Sequence, residues 1–461
     1  MKITYHKQAF ISLSVCCILL ISSCQKQDDY LDLKGNNYDV IPAALRDYQA
    51  LLNSDGIMNS GYPDLGYLCT DNIYLLSATW SAAFLAMERN AYIWLTDLYE
   101  GNTFSEWNNL YRIIQYANIV LEGIGKITTE NSNSLAKDQL KGSALFFRSM
   151  ARYHLLQQFA LPYDPSTAQS DLGIPLKEEA DIHAPVTRNS VKECYDRIIQ
   201  DMKTAAALLP VSTAFKTNPS KSAAYGLLAK TCLHTGDYSQ AYQYADSALQ
   251  LNNALMDFNG LNASAAYPFP AFTAQQPEVI FFARGNIYNT ARLSYVDTTL
   301  YNSYQNNDLR KSLFFNTVAG QHGFRGSYSS SLYPFSGIAT NELYLIRSEA
   351  AARTRQISKA MNDLNTLLQK RWKTGTYIPM TALDETDALH KILTERRKEL
   401  PVTGNIRWED LRRLNKDNRF AITVTHIING QTYTLAPNDK KYVLPIPDDE
   451  IRLSGIPQNI R

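Results

Sequence analysis

The stretch KSAAYGLLAKTCLHTGDYSQAYQYADSALQL, residues 221–251, decides the fold. Small side chains recur at helical spacing at Ala229, Ala241, Ala245 and Ala248, and Gly236-Asp237-Tyr238 interrupts them. Small residues at a contact let two helix axes approach closely, and a glycine adopts the left-handed backbone that ends one helix and turns the chain into the next. The stretch therefore predicts two short antiparallel helices packed face to face. The same frame returns 119 residues later. Ser348, Ile357, Ala360, Leu364 and Leu367 stand where Ala229, Tyr238, Ala241, Ala245 and Ala248 stood, with Arg355 at the place of Gly236.

This spacing resembles the tetratricopeptide repeat, with one good copy and one degenerate one. Two copies do not make a solenoid, but other amphipathic segments extend the pattern. In 106–125, Leu110, Ile113, Ile114, Ala117, Leu121 and Ile124 share one helical face. In 136–160, Leu140, Ala144, Phe147, Ala151, Leu155 and Phe159 do the same until Leu161-Pro162 stops the run. Ser190 and Glu193 form a capping box that opens a helix over 190–209, and Pro210 closes it. A further helix is expected over about 384–400, with Leu389, Ile392, Leu393, Arg396 and Leu400 on one side. The predicted fold class is mainly α: tetratricopeptide-like helix pairs form a scaffold, with an irregular loop-rich ligand lobe and few short strands.

The N-terminus reads as an export signal. Lys2 and Lys7 precede the almost wholly apolar run Ala9–Ile21, which is short for a membrane span. The run ends in Ile21-Ser22-Ser23-Cys24, which resembles a bacterial lipobox: cleavage before Cys24 would leave a cysteine that carries acyl chains into the outer-membrane lipid. The polar, acidic Gln25–Tyr30 would follow as a tether. Loss of 1–23 takes the net charge from +1 to −1, which argues against nucleic acid as a partner. Of the six cysteines, Cys69, Cys194 and Cys232 remain beyond the signal and Cys24. Their odd number and wide spacing support neither a disulfide framework nor a zinc site, and Cys194 and Cys232 read as buried small hydrophobes.

Two segments break the helical pattern. Residues 53–105 carry Tyr62, Tyr67, Tyr74, Trp80, Tyr92, Trp94 and Tyr99 among Gly, Asn, Ser and Asp. Residues 255–340 hold sixteen Phe and Tyr and only nine charged residues in 86 positions, against 11% aromatic overall. Loops are ordinarily polar. Rings at this density either build a second small core or are offered to a ligand.

Several motifs in order resemble the SusD/RagB family of Bacteroidetes nutrient-uptake lipoproteins. They are the lipobox with Asp28-Asp29-Tyr30-Leu31-Asp32; Trp107, Tyr111, Ile114 and Asn118; and Phe147-Arg148 through Tyr153 and Leu156, followed by Gly173-Ile174-Pro175-Leu176. Toward the end come Glu395-Arg396-Arg397-Lys398-Glu399-Leu400, then Arg407–Arg413, then Leu444-Pro445-Ile446-Pro447. Thr403–Arg407 departs from the usual Glu-Gly-x-Arg of that region. The resemblance implies a lipoprotein that binds oligosaccharide or peptide and lies as a lid over a SusC-like TonB-dependent transporter, with its helical repeats facing the barrel. It divides the chain into a signal peptide (1–23), a tether and first helix (24–52), ligand-lobe loops (53–105), a helical scaffold (106–254), an aromatic-rich ligand lobe (255–340) and a C-terminal scaffold (341–461).

The chemistry points to binding. Glu395 and Glu399 lie four apart and could share a helical face as an acid/base pair, but the interleaved arginines are expected to pair with them. Asp448-Asp449-Glu450, after a proline-rich strand, reads as the start of a helical turn. The seven histidines have no ligand spacing, and no nucleophile elbow, Walker loop or dinucleotide fingerprint is present, so neither metal nor cofactor is expected. An aromatic face stacks on sugar C–H groups while polar neighbours hold hydroxyls. By position, the candidate ligand-binding residues are Asp71, Asn72, Tyr74 and Trp80 with Arg284, Asn286, Tyr288 and Tyr295. Trp107 and Trp408 read as packing residues. The rival readings are a surface glycan hydrolase, whose carboxylates leave little local signature, and a tetratricopeptide adaptor without a small ligand.

Overall fold

The computed structural model describes residues 42–128, 133–272, 276–401 and 403–461. The expected signal peptide, Cys24 and the tether as far as residue 41 lie outside the described residues. Leu45–Arg461 forms one compact unit, distinct from Met1–Ala44.

Its scaffold is a run of helices in which each packs on the next. After α1 (Leu45–Leu52) come α2 (Ser105–Lys126), α3 (Ser134–Phe159), α4 (Val191–Leu208), α5 (Lys221–Thr235), α6 (Tyr238–Leu251), α7 (Thr340–Arg353) and α8 (Ile357–Gln369). Then α9 (Glu385–Glu399) packs on α7 and α8, and α10 (Ile406–Leu414) and α11 (Asp448–Ser454) follow. The fold class is the expected one, mainly α with few short strands. The α4 capping box is present: Ser190 Oγ accepts from the Glu193 amide at 3.2 Å, and Glu193 Oε2 accepts from the Ser190 amide at 2.8 Å. Asp448, Asp449 and Glu450 occupy the first turn of α11, where carboxylates meet the helix's positive end. Leu444–Pro447, expected as a strand, is extended but joins no sheet. A proline lacks the N–H that a ladder needs.

Both repeat copies turn alike. Gly236 ends α5 at φ +77°, and the Asp237 amide bonds to Cys232 O at 3.0 Å. In the second copy Arg355 takes φ +61°, and the Gln356 amide bonds to Ala351 O at 2.8 Å. The degenerate copy thus keeps the left-handed corner with a residue that resists it. Gly226 on α5 has a different use. A Cβ there would lie 2.7 Å from Ile338 Cγ2, so the bare backbone lets the neighbouring strand rest on the helix.

The strands form four antiparallel pairs: β1 (Ile73–Tyr74) with β3 (Tyr295–Val296), β2 (Val279–Phe281) with β6 (Ile338–Ala339), β4 (Phe315–Val318) with β5 (Gln321–Phe324), and β7 (Val424–Ile428) with β8 (Gln431–Leu435). The aromatic-rich 255–340 segment builds a second core around Phe258, Phe269, Phe282, Tyr304, Phe314, Phe315, Tyr328 and Phe335. The rings of 53–105 behave differently. Tyr62, Tyr67, Tyr92, Trp94 and Tyr99 are buried in the scaffold's own core. Trp94 stacks on His426 with ring centroids 4.5 Å apart and donates from Nε1 to Cys69 O. Trp107 and Trp408 are buried as well, and so are Cys69, Cys194 and Cys232, all as free thiols.

Within the scaffold, α3, α5 and α10 enclose a buried charge cluster. Tyr153 donates to Glu409 Oε2 at 2.8 Å, and Lys230 Nζ lies 3.3 Å from the same oxygen. His234 and His154 stand farther off, at 3.6 and 3.9 Å from Glu409. Burial, with Lys230 beside both, holds the two imidazoles far below their ordinary value of 6.5, so they are neutral in the fold. The unfolded chain gains those protons as pH drops through 6.5, whereas the fold resists them. The stability contribution is therefore complete above pH 6.5 and is lost progressively below it. We expect the melting temperature to fall on going from pH 7 to pH 5, and a His154→Gln/His234→Gln variant to show a shallower fall over that range. Equal slopes in variant and parent would contradict the assignment.

Replacing Arg355 by glycine relieves a left-handed L-residue, and the Arg355 side chain is highly exposed, reaching only Glu385 at 3.8 Å. Arg355→Gly is expected to raise unfolding free energy by about 1 kcal/mol in urea titration.

Candidate functional site

The two non-helical segments meet through β1 and β3. Tyr74 pairs directly with Tyr295, and Ile73 with Val296. Side chains alternate along a strand, so Ile73 and Val296 point into cores while Tyr74 and Tyr295 stand on the opposite face, half-buried. Their ring centroids lie 5.6 Å apart with a 33° tilt. A parallel bridge from Tyr62 to Gly285 joins the segments a second time.

A small cavity of about 50 Å³ lies where the segments meet. Asp64 and Tyr67 line it from the first segment, and Tyr288, Arg292, Ser294 and Phe324 from the second, with apolar wall at Ile287 and Leu332. Ser294, in its wall, immediately precedes Tyr295. A further aromatic stack lies on the second segment: Tyr301 and His322 have centroids 3.4 Å apart, and Lys311 Nζ sits 4.8 Å from the Tyr301 ring. Burial and Lys311 lower the His322 pKa, which leaves an uncharged face on that ring.

The eight candidate residues divide by what they touch. Asp71 is held by Arg407 through two bonds of 2.7 Å and by Arg397 at 3.1 Å. Burial would raise its pKa, but the two guanidiniums override that and hold the carboxyl well below the usual range. Asn72 is buried, donating to Pro401 O at 2.9 Å and accepting from Arg397 Nε at 2.9 Å. Tyr288 is buried too. Its ring lines the cavity, and its hydroxyl donates to Glu106 Oε1 at 2.8 Å. The polar atoms of these three side chains are engaged inside the protein. Trp80 donates to Arg89 O at 3.0 Å from a short helix (Ser77–Ser81), packs on the scaffold core and does not line the cavity. Arg284 is half-buried, bonded to Ser60 Oγ and stacked over Tyr333 at 4.8 Å. Asn286 Nδ2 is buried without a hydrogen-bond partner. The structure therefore brings together Tyr74 and Tyr295, places Tyr288 in the wall of a cavity that neither of them lines, and leaves Trp80 apart.

Sequence reasoning missed Asp64, Tyr67, Arg292, Ser294, Tyr301 and His322. Their density in aromatic segments was a signal for Tyr67 and Tyr301, but Asp64 carried none.

The Glu395–Glu399 pair is a structural hub, with partners other than those expected. Arg310 bonds to Glu395 at 2.5 Å and to Glu399 at 3.3 Å, and Arg371 bonds to Glu399 at 2.8 Å. Of the run itself, Lys398 reaches Glu395 at 2.8 Å, whereas Arg396 and Arg397 turn to Asp410 and Asp71. Adjacent residues on a helix point about 100° apart, so the interleaved arginines cannot face the same carboxylates. Among the described residues no group of His, Cys, Asp and Glu is arranged to hold a metal, and no helix is long and apolar enough to cross a membrane.

The fold defines a helical-repeat scaffold that carries a loop-built second core. Residues 29–233 match the SusD-like profile described as starch-binding and associating with the outer membrane, and residues 288–460 match the profile of the SusD family. The chain belongs to the SusD/RagB family. It is 23% identical over 410 residues to SusD-like protein P2 of Formosa agariphila, covering 75% of this chain and 77% of that protein. A SusD superfamily protein from Bacteroides thetaiotaomicron superposes with a TM-score of 0.73 at 21% identity, covering 91% of this chain and 100% of the other. A SusD-like carbohydrate binding protein from Bacteroides vulgatus gives 0.67 at 21% identity, covering 90% and 97%.

Asp71 is expected to act on stability first. Asp71→Asn leaves Arg397 and Arg407 poorly compensated, and denaturant unfolding should register a loss of about 3 kcal/mol. A loss under about 0.5 kcal/mol would mean the pair is idle in the fold.

Proposed function

We propose that this protein is a surface-exposed lipoprotein, anchored through Cys24 in the outer membrane, that binds oligosaccharide nutrients and passes them to a SusC-like TonB-dependent transporter. The observation that carries this reading is the Tyr74–Tyr295 pair, two half-buried rings on one face of the strand pair that joins the two loop segments. Flat, rigid rings gain contact area on sugar C–H faces with little loss of side-chain entropy. Family membership supports the reading, as do the starch-binding description of the profile over 29–233 and the carbohydrate binding of the Bacteroides vulgatus relative. The reading requires no covalent chemistry, and the most conspicuous carboxylate pair, Glu395 and Glu399, is engaged with arginines. For the transporter, the scaffold offers a groove of about 800 Å³ between α2, the 175–186 loop and α11, where Ile182 and Leu453 are exposed.

The test is isothermal titration of an oligosaccharide panel, with peptides alongside, against the wild type and Tyr74→Ala/Tyr295→Ala. Binding to at least one oligosaccharide, weakened about tenfold or more in the double variant, is expected. The absence of saccharide binding, or a variant that binds as the parent does, would overturn the assignment. In cells, Cys24→Ser should release the protein from the envelope.

A further inference from the structure

The tyrosine pair is bordered by one carboxylate. The β1–β3 ladder runs a residue past its ends: the Asp297 amide donates to Asn72 O at 2.8 Å, which sets Asp297 opposite Asn72 as Tyr295 is opposite Tyr74. Side chains two apart on an extended chain share a face, so Asp297 stands on the face of the two rings. The Tyr74 hydroxyl registers the neighbourhood: burial first, then Tyr295 and the charge of Asp297, raise its pKa. Asp297 Oδ1 accepts from the Leu300 amide at 3.0 Å, which caps the short helix Thr298–Asn302, and lies 3.8 Å from an Arg397 nitrogen. Among the described residues none donates to Oδ2. The cations of this corner lie behind. Arg397 and Arg407 are drawn to Asp71, and their side chains are 22% and 13% exposed against 32% for Asp297. The charge met first at the edge of the rings is therefore negative.

We propose that Asp297 selects the ligand by charge: its Oδ2 accepts a hydroxyl of the sugar that stacks on Tyr74 and Tyr295, and the nutrient is a neutral oligosaccharide, not an acidic one. The inference rests on the saccharide-binding reading above and narrows it to a class. An ionised carboxylate only accepts hydrogen bonds, so whatever meets it must bring a donor. Hydroxyls do so, and a bond to a charged acceptor is stronger than a neutral one. A uronate carboxylate at the same place has no hydrogen to offer and meets like charge at contact distance, well inside the range that salt screens. The groups that would welcome an anion are turned inward. Arg397 donates from Nε to Asn72 Oδ1 at 2.9 Å and from Nη2 to Asp71 O at 2.6 Å. The rings offer area that any pyranose can use, and the carboxylate supplies the choice among them.

The test titrates the full mature chain, as wild type and as Asp297→Asn, with matched 1,4-linked tetramers: glucose against glucuronate, mannose against mannuronate, galactose against galacturonate. Each pair differs only in the oxidation of C6. Wild type is expected to bind the neutral member of a pair about tenfold or more tighter, and the gap to shrink to about twofold or less in Asp297→Asn. Part of that change is a gain, since the variant should bind the uronate tighter than the wild type does. A merely structural role for Asp297 would not produce it. Asparagine keeps the helix cap, and a melting temperature close to the wild type's is the folding control. A uronate bound by the wild type as tightly as its neutral partner, or a gap unchanged in Asp297→Asn, would overturn the assignment while leaving saccharide binding intact. If none of the six tetramers binds, saccharide recognition itself fails, and this inference with it.

Discussion

One helical turn fixes how the parts of this protein meet. At the end of α9, Glu395 and Glu399 receive Arg310 from the second core, and Glu399 also receives Arg371 from just beyond α8 and Asn341 from α7. Arg396 goes the other way, to Glu342 on α7 at 3.1 Å and Asp410 on α10 at 2.8 Å. Arg397 reaches Asp71 and Asn72 in the first loop segment, and Lys398 reaches Asp308. Nearly all of these charges are buried. Such a network adds little net stability over well-packed apolar residues of similar size, because desolvation offsets most of the attraction. Its value lies in direction. Two apolar surfaces can slide against each other, whereas guanidinium–carboxylate pairs hold in one geometry. Two cores joined by apolar contact alone would have no unique register.

The same logic separates what could be read in the sequence from what could not. Helices α2 to α6 were legible because each repeats its apolar positions within a few residues, and caps such as Ser190 and stops such as Pro210 act locally. The second repeat copy was legible too, although Arg355 replaced glycine, because the surrounding small and aliphatic positions kept their spacing. The strand pairs were not legible. β1 and β3 contribute two residues each, and Tyr74 finds Tyr295 across more than two hundred intervening positions. No local period marks such a pairing. The partners of Glu395 and Glu399 were misjudged for a related reason. Neighbours in sequence stood out, but helical geometry turned them away and brought Arg310 and Arg371 from other elements.

For the candidate site, aromatic density announced that 53–105 and 255–340 are not ordinary wet loops, yet it could not sort the rings. Tyr288 and Tyr295 lie seven residues apart in the same composition. One sends its hydroxyl to a buried glutamate and packs, while the other faces outward opposite Tyr74. The sorting depends on Glu106 and on the β1 register, and both are set far away in the chain. Asp64 illustrates the harder case. An aspartate between Pro63 and Leu65 is unremarkable in sequence, and its character arises only when folding buries it without a partner.

The cavity sits at the seam between the two cores, and this placement bears on how a site there would work. Tyr67 and Tyr288 are anchored toward the scaffold, whereas Phe324 packs on the second core. A seam between bodies that could shift would open and close with thermal motion, and a ligand would have to order it on arrival. Here Arg397 ties Asp71 to α9 on one side, and Arg310 ties the second core to the same turn on the other. Both walls are therefore referred to one rigid helix end. That leaves little conformational entropy to be lost on binding, and it lets the loops lining the seam change in sequence without disturbing the frame. A scaffold of this kind can serve chemically different nutrients while its helices, cores and buried ion pairs stay as they are.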